Sequence, residues 1–200
     1  MNPIGFNKRI LNNAASAETP AVATQISAKT ADFVNRIFNS TTEVILDFLG
    51  TKTKQIKLRN SSDSLYCYEN CLLLRSNGQR AYDLEQNIRE IEQIGIAPRF
   101  VKYFQLGEDD FLTVLEAGEG KLSPYCENVQ RVSQKAKQGF KTGVKELLDK
   151  GFVNKEMFTN KDAFLFDDSG KIVFADWTGL EYVTATKKQA LENHLRNWQF

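Results

Sequence analysis

The side chain best placed for chemistry in this sequence is the carboxylate of Asp176. Two apolar runs, Phe164-Leu165-Phe166 and Ile172-Val173-Phe174, flank Asp167-Asp168-Ser169-Gly170, whose acidic residues and glycine suit a tight hairpin turn. The second strand ends on Asp176 as its apolar face runs out, and Trp177-Thr178-Gly179 follows, so the carboxylate is set to face a cleft with a rigid scaffold behind it. Other chemistries are thinly equipped. The only histidine, His194, stands near the C-terminus, which argues against Ser-His-Asp and Cys-His catalysis and against most histidine-based metal sites. Cys67 and Cys71 lie four apart with neither a second ligand pair nor a nearby histidine, so they read as buried thiols rather than zinc ligands. With Cys126 they make three cysteines, too few and too scattered for a disulfide framework, which suggests a reducing compartment.

The elements that must position Asp176 fit within one domain with room for two lobes, since 200 residues at 42% hydrophobic content bury a sizeable core. A net charge of +1 points neither to nucleic acid nor to an anionic membrane surface. No apolar run approaches the ~20 residues of a membrane-spanning helix, so a soluble protein is expected.

Residues 1–40 are rich in Asn, Ala, Ser and Thr and are expected to form a flexible leader, with the composition of a secretion or transit segment or of a plain disordered tail. Within it, Phe33, Val34, Ile37 and Phe38 at helical spacing mark a short helix over Ala28 to Asn39. From Glu43 the pattern turns to strands. Val44 to Leu49 reads as a first strand, Gly50-Thr51-Lys52-Thr53-Lys54 as a turn and Gln55 to Leu58 as the return. A hairpin around Glu69-Asn70 follows, then a helix carrying the stripe Tyr82, Leu84, Ile88, Ile91 and Ile94 with Gly95 as its C-cap. Phe100 to Phe104 and Phe111 to Leu115 make a further strand pair, and Gly118 and Gly120 break the chain as a hinge would. The second lobe opens with a long helix from about Asn128 to Lys150, in which Gly139 and Gly143 either weaken the helix or admit a closely packed neighbour. After the hairpin only 24 residues remain beyond Asp176, enough for a loop and one helix, Lys187 to Trp198.

This order of meander, single helix, strand pair, hinge, long helix, polar loop, hairpin and strand-end Asp resembles the protein-kinase-like fold, an α+β, two-lobed architecture here with a minimal C-lobe. The resemblance covers roughly residues 43–185 and implies a kinase-like domain over 41–200, with an N-lobe of about 41–117 and a C-lobe of about 118–200. Asn87 to Glu92 resembles the family's αC helix, Gly50 stands where the glycine-rich loop begins, and Asp176-Trp177-Thr178-Gly179 is similar to the D-F-G motif with one extra residue. The small size and loose leader resemble the minimal kinase effectors that bacterial pathogens inject into host cells through type III secretion, including the group that targets a host chaperone.

The resemblance implies ATP and magnesium as cofactors, with Asp176 as the magnesium ligand and Glu90 as the αC glutamate that orients a phosphate-holding cation. The family's strand lysine is missing, Arg75 stands at the end of Leu72-Leu73-Leu74, and Lys52 or Lys54 in the glycine turn is the alternative cation. Counting forward from the long helix puts Glu156 at the catalytic-base position, and counting back from Phe164 puts Asp162 there. Neither has an Asn five residues on, since Lys161 and Asp167 occupy those places, which leaves Asn160 or Asp162 as the second metal ligand. The functions that follow are a minimal atypical protein kinase transferring the ATP γ-phosphate to a hydroxyl, Ser/Thr before Tyr, of a host protein, and, as the alternative, a pseudokinase binding module without transfer. A small-molecule phosphotransferase ranks lower, because such enzymes usually need a larger C-terminal lobe. A monomer secreted into the host cell, or otherwise cytoplasmic, is the accompanying expectation, with a host chaperone or signalling protein as partner.

Overall fold

The computed structural model of the chain describes residues 26–58, 62–124 and 133–198. Most of the expected leader, Cys126 and the start of the expected long helix lie outside the described residues. The expected short helix is present as α1, Ala28–Phe38, capped by Ser27, whose Oγ accepts the Thr30 amide. Its Phe33 and Ile37 are buried.

The first expected strand is instead a helix, α2, Thr42–Lys52. Thr41 is its N-cap and Glu43 sits in its first turn, where the backbone amide end and the Thr41 hydroxyl hold the Glu43 carboxyl below the usual range. An apolar run of this length has no periodicity that separates strand from helix, and the caps at its start decide for helix by burying Ile45 and Leu49, one turn apart. The glycine turn therefore does not exist. Gly50 and Lys52 belong to α2, and Lys54 opens the next strand.

Five strands form an antiparallel sheet in the order β1-β2-β3-β5-β4: β1 Lys54–Ile56, β2 Ser64–Tyr68, β3 Cys71–Ser76, β4 Arg99–Gly107 and β5 Asp110–Glu116. Both faces are covered, which is why Cys71-Leu72-Leu73-Leu74 is apolar without alternation. On the outer face Cys71, Leu73, Leu112 and Val114 pack against Phe33, Ile37, Ile45 and Leu49 of α1 and α2. On the inner face Leu65, Cys67, Leu72, Leu74 and Leu115 meet Leu84, Ile88 and Ile91 of α3, Gly78–Ile91. Each such side chain withdrawn from water is worth about 1.5–3 kcal/mol. Helix α3 starts at its Asn77 cap and ends at Glu92, short of Gly95, and Tyr82 of the expected stripe is exposed.

Glu116 at the end of β5 fastens α1. Its carboxylate accepts the Ser27 amide, the Thr30 hydroxyl and the Asn70 side-chain amide, and Arg99 stands beside it. Burial alone would raise the Glu116 pKa, but the hydrogen bonds from Ser27 and Thr30 and the Arg99 charge outweigh it and hold the carboxyl below the usual range.

The inner-face core continues without a break past Gly118 into the second half. That half comprises β6 Ser123–Pro124, α4 Gln134–Asp149, β7 Phe152–Asn154, a short α5 Glu156–Thr159, β8 Phe164–Phe166, β9 Ile172–Phe174, β10 Leu180–Tyr182 and α6 Ala185–Asn197. Strands β6, β8 and β9 form one small sheet, and β7 pairs with β10 in another. Trp198 closes the base, its ring near Phe140, Phe158 and Phe164. The whole is an α+β arrangement of antiparallel sheets and packed helices.

Gly118 and Gly120 have φ of 90° and 79°, a region that disfavours side chains. The linker they sit in is clamped. Glu119 N donates to Asp167 Oδ2 at 2.7 Å, Lys121 N to Asp168 Oδ2 at 2.8 Å, and Ala117 N and Leu122 N to the carbonyls of Asn70 and Glu69, both at 2.8 Å.

Two predictions follow from this packing. A Cβ at Gly143 would collide with Ile96 Cγ2, whereas one at Gly139 meets nothing within 4 Å. Urea unfolding should show Gly143→Ala destabilised by about 1–3 kcal/mol and Gly139→Ala stabilised by about 0.5–1 kcal/mol. Because its folded pKa is lowered, the Glu116 contribution is fully present above the unfolded carboxyl pKa and is lost as pH falls through the folded value. Glu116→Gln should be less stable than the unmodified protein at neutral pH, and the gap should narrow in urea midpoints taken at progressively lower pH.

Candidate active site

The hairpin that presents Asp176 is built as its sequence suggests, with Phe164, Leu165 and Phe166 registered on Phe174, Val173 and Ile172. Asp167 shapes the turn, its Oδ1 accepting the amides of Ser169 and Lys171 and the Ser169 hydroxyl, and Gly170 takes φ of 80°. Ala175 N donates to Ala163 O at 2.9 Å, carrying the pairing one residue further, and Asp176 follows. Trp177, buried and bonded through Nε1 to Phe174 O, holds the chain after it.

Asp176 has no solvent exposure. Its Oδ1 accepts the Thr178 hydroxyl at 2.6 Å and the Thr178 amide at 3.3 Å, capping a 3-10 turn over Trp177–Gly179. Its Oδ2 accepts Asn160 Nδ2 at 3.2 Å. Asn160, equally buried, follows α5 and donates the same Nδ2 to the carbonyl of Lys57 at 3.2 Å. Its Oδ1 is buried with no hydrogen-bond partner among the described residues. An orphaned buried acceptor costs about 1–3 kcal/mol, so it marks a place where a further group is wanted. A carboxylate and an amide oxygen on adjacent residues are the donor set that hard divalent cations take, and on that ground the two residues fit magnesium. Among the described residues no group of three or more His, Cys, Asp or Glu side chains is set to hold a metal.

Asn154 belongs to none of the motifs read from the sequence. It is fully buried at the end of β7, its Nδ2 donating to the Asp176 carbonyl at 2.7 Å and its Oδ1 accepting the Glu156 amide at 3.0 Å. One side chain thus fixes the main chain of both Asp176 and Glu156. Gly179 leaves room for it, since a Cβ there would stand 3.1 Å from both Asn154 Oδ1 and Glu156 Cγ. The available signal was an Asn closing a fully apolar run, where an unpaired amide is not tolerated.

Of the other candidates, Glu156 is half-buried and accepts the Thr159 hydroxyl at 3.1 Å, whereas Asp162 is exposed on the 3-10 turn Lys161–Ala163. Lys54 lies opposite Cys67, itself opposite Leu72, so it shares the inner face. Burial pushes the Cys67 thiol pKa up, and the charges of Lys54 and Lys121 oppose the push. Lys52 and Gly50 belong to α2 on the outer face. Arg75 alternates onto that outer face with Cys71 and Leu73 and forms a two-pronged bridge to Asp110, Nε to Oδ1 at 2.9 Å and Nη2 to Oδ2 at 2.7 Å. Glu90 is exposed and accepts the Tyr182 hydroxyl at 2.8 Å, tying α3 to β10. The structure therefore pairs Asp176 with Asn160, ties the main chain of Glu156 to that of Asp176 through Asn154, keeps Lys54 on the inner face, and leaves Gly50, Lys52, Arg75 and Glu90 elsewhere.

No family model matches the chain, and no curated protein matches it. Among solved structures it is similar to the bifunctional kinase-methyltransferase WbdD, at 13% identity and a TM-score of 0.44, over 68% of this chain and 34% of that one. This chain thus spans about a third of that chain's length, and a likeness of this degree adds no argument to the geometry.

Truncating Asn154 to Ala leaves the Asp176 carbonyl and the Glu156 amide unpaired in a buried place. Urea unfolding should register a loss of about 1–3 kcal/mol or more, against a change within about 0.5 kcal/mol for Asp162→Ala at its exposed position.

Proposed function

We propose that this chain is an atypical phosphotransferase on the protein-kinase plan, moving the terminal phosphoryl group of ATP to a hydroxyl, Ser/Thr before Tyr, of a protein. The observation that carries the reading is the buried pair Asn160 and Asp176, with Asn160 Oδ1 lacking a partner among the described residues. The order of elements supports it: α4, β7, a short helical loop, the β8–β9 hairpin, Asp176, then β10 returning to pair with β7. A host protein as acceptor, a host chaperone among the candidates, and secretion into the host cell rest on the resemblance alone.

Phosphoryl transfer asks a protein for positioning and charge compensation more than for a special nucleophile. Asn160 and Asp176 would hold the magnesium, which when bound offsets the negative charge of the phosphates. Lys54, on the inner face of the sheet, adds positive charge from the N-terminal side. Glu156, its main chain fixed to that of Asp176 through Asn154, is the base this reading favours over the exposed Asp162, and takes the proton of the acceptor hydroxyl.

A binding module without transfer is favoured by one specific observation, that neither Asp176 nor Asn160 has any solvent exposure. The two readings part on transfer of label from γ-labelled ATP to protein acceptors with magnesium. The phosphotransferase should lose transfer by ~100-fold or more in Asp176→Ala and by at least ~10-fold in Glu156→Gln. Undiminished transfer in Asp176→Ala overturns the assignment. No transfer together with no rise in melting temperature on adding Mg-ATP establishes the binding module instead.

A further inference from the structure

The Asn160–Asp176 pair is closed by a backbone group from the other half of the chain, the carbonyl of Lys57. We propose that the segment Ile56 to Leu58 is a latch on the cation site, holding the Asn160 amide in an orientation that cannot ligate and lifting before a divalent cation enters. This rests on the cation site of the proposed function and adds its regulation.

The amide of Asn160 has two acceptors on its nitrogen side, Lys57 O and Asp176 Oδ2, each at 3.2 Å. They fix which end of the amide faces the carboxylate, and it is the wrong end for a cation. Sharing a cation with Asp176 requires the amide oxygen on that side. Turning the amide over would set Oδ1 against the Lys57 carbonyl, two acceptors with no proton between them, at a distance suited to a hydrogen bond. Ligation by the amide oxygen on the Asp176 side and the hydrogen bond from Asn160 Nδ2 to Lys57 O therefore exclude one another.

Access leads to the same place. Both side chains have zero exposure, so a hydrated ion reaches neither in this state, and Lys57 O is one of the groups packed on Asn160. In the closed state Asp176 is compensated by three donors, Asn160 Nδ2 and the amide and hydroxyl of Thr178, which stand in for the cation. The latch itself is lightly built. β1 is a three-residue strand at the edge of the sheet, paired on one side only, and its hold on the core is Ile56, buried, and Leu58, half-buried. Edge segments with few buried contacts open at the lowest cost in a fold. A site open only a fraction of the time binds with its intrinsic affinity scaled by that fraction, so a partner that captures the lifted β1 edge would raise cation affinity without touching Asn160 or Asp176.

Leu58→Ser in the full chain loosens the latch and leaves both ligands intact. Mn2+ is the probe, with free ion counted by its electron paramagnetic resonance signal and binding followed in stopped flow by tryptophan fluorescence in a Trp198→Phe background, which leaves Trp177, the residue after Asp176, as the reporter. Leu58→Ser should bind Mn2+ ~10-fold or more tighter than the unmodified protein, and Asp176→Asn in the same background should abolish the gain. In the Trp198→Phe protein with Leu58 intact the observed rate should level off as Mn2+ rises, because opening becomes limiting; this arm needs no change in the latch. Equal affinities, or a rate that climbs linearly throughout, overturn the latch and leave the cation site standing. Absence of Mn2+ binding in both proteins removes the cation site and the latch with it.

Discussion

A carboxylate cannot be buried without compensation, and the burial of Asp176 is the constraint from which the second half of this protein takes its form. Thr178 turns back to cap it, which sets the 3-10 turn; Asn160 faces it, which sets the exit from α5; and Asn154 holds its carbonyl, which sets the end of β7. Strand β10 then pairs with β7 in a register, Leu180 on Asn154, that leaves Gly179 directly over the Asn154 amide. The turn after Asp176, the exit from α5 and the end of β7 thereby converge on one residue. An acid serving only as a loop cap would need the first of these contacts and none of the others.

The parts of the fold legible in the sequence are those in which local pattern and final environment agree. The β8–β9 hairpin shows itself because a turn-forming Asp and a glycine stand between two short apolar runs, and the structure uses both as such. The resemblance leaves Asn160 and Asp162 as alternatives beside Asp176, and of the two it is Asn160 that contacts it. Val44 to Leu49 was not legible as a helix, since an unbroken apolar run buries equally well as either element and its choice lies in the Thr41 cap and the packing of Ile45 and Leu49. The supposed glycine turn fell with it. Arg75 looked available because its partner Asp110 stands 35 residues away, in a turn whose acids read as solvated. Asn154 and the Lys57 carbonyl were out of reach for the same reason: each acts through a contact between segments that no local window contains.

The sheet shows a division of labour between its two faces. Helices α1 and α2 seal the outer face with aromatic contacts such as Phe33 to Tyr68 and Phe48 to Tyr68, and Arg75 and Asp110 there are satisfied by each other. The inner face is continuous with the core beneath Asp176 and carries Lys54, whose charge, with that of Lys121 in the linker, acts on Cys67. A residue's face, set by alternation along one strand, thus decides whether its charge bears on the site at all.

The clamp on the linker has a mechanical meaning. With Asp167 and Asp168 gripping the amides of Glu119 and Lys121, and with one apolar core running past both glycines, the connection behaves as a weld where two positive-φ glycines would otherwise make a joint. Rotating one half against the other would have to part the shared core and strip linker amides of their acceptors in at least one half, Glu69 and Asn70 or Asp167 and Asp168, whereas peeling a three-residue edge strand disturbs one short ladder. The compliance of this molecule is therefore concentrated at its rim, and its rate of opening is set by the fraying of one strand rather than by the swing of a hinge.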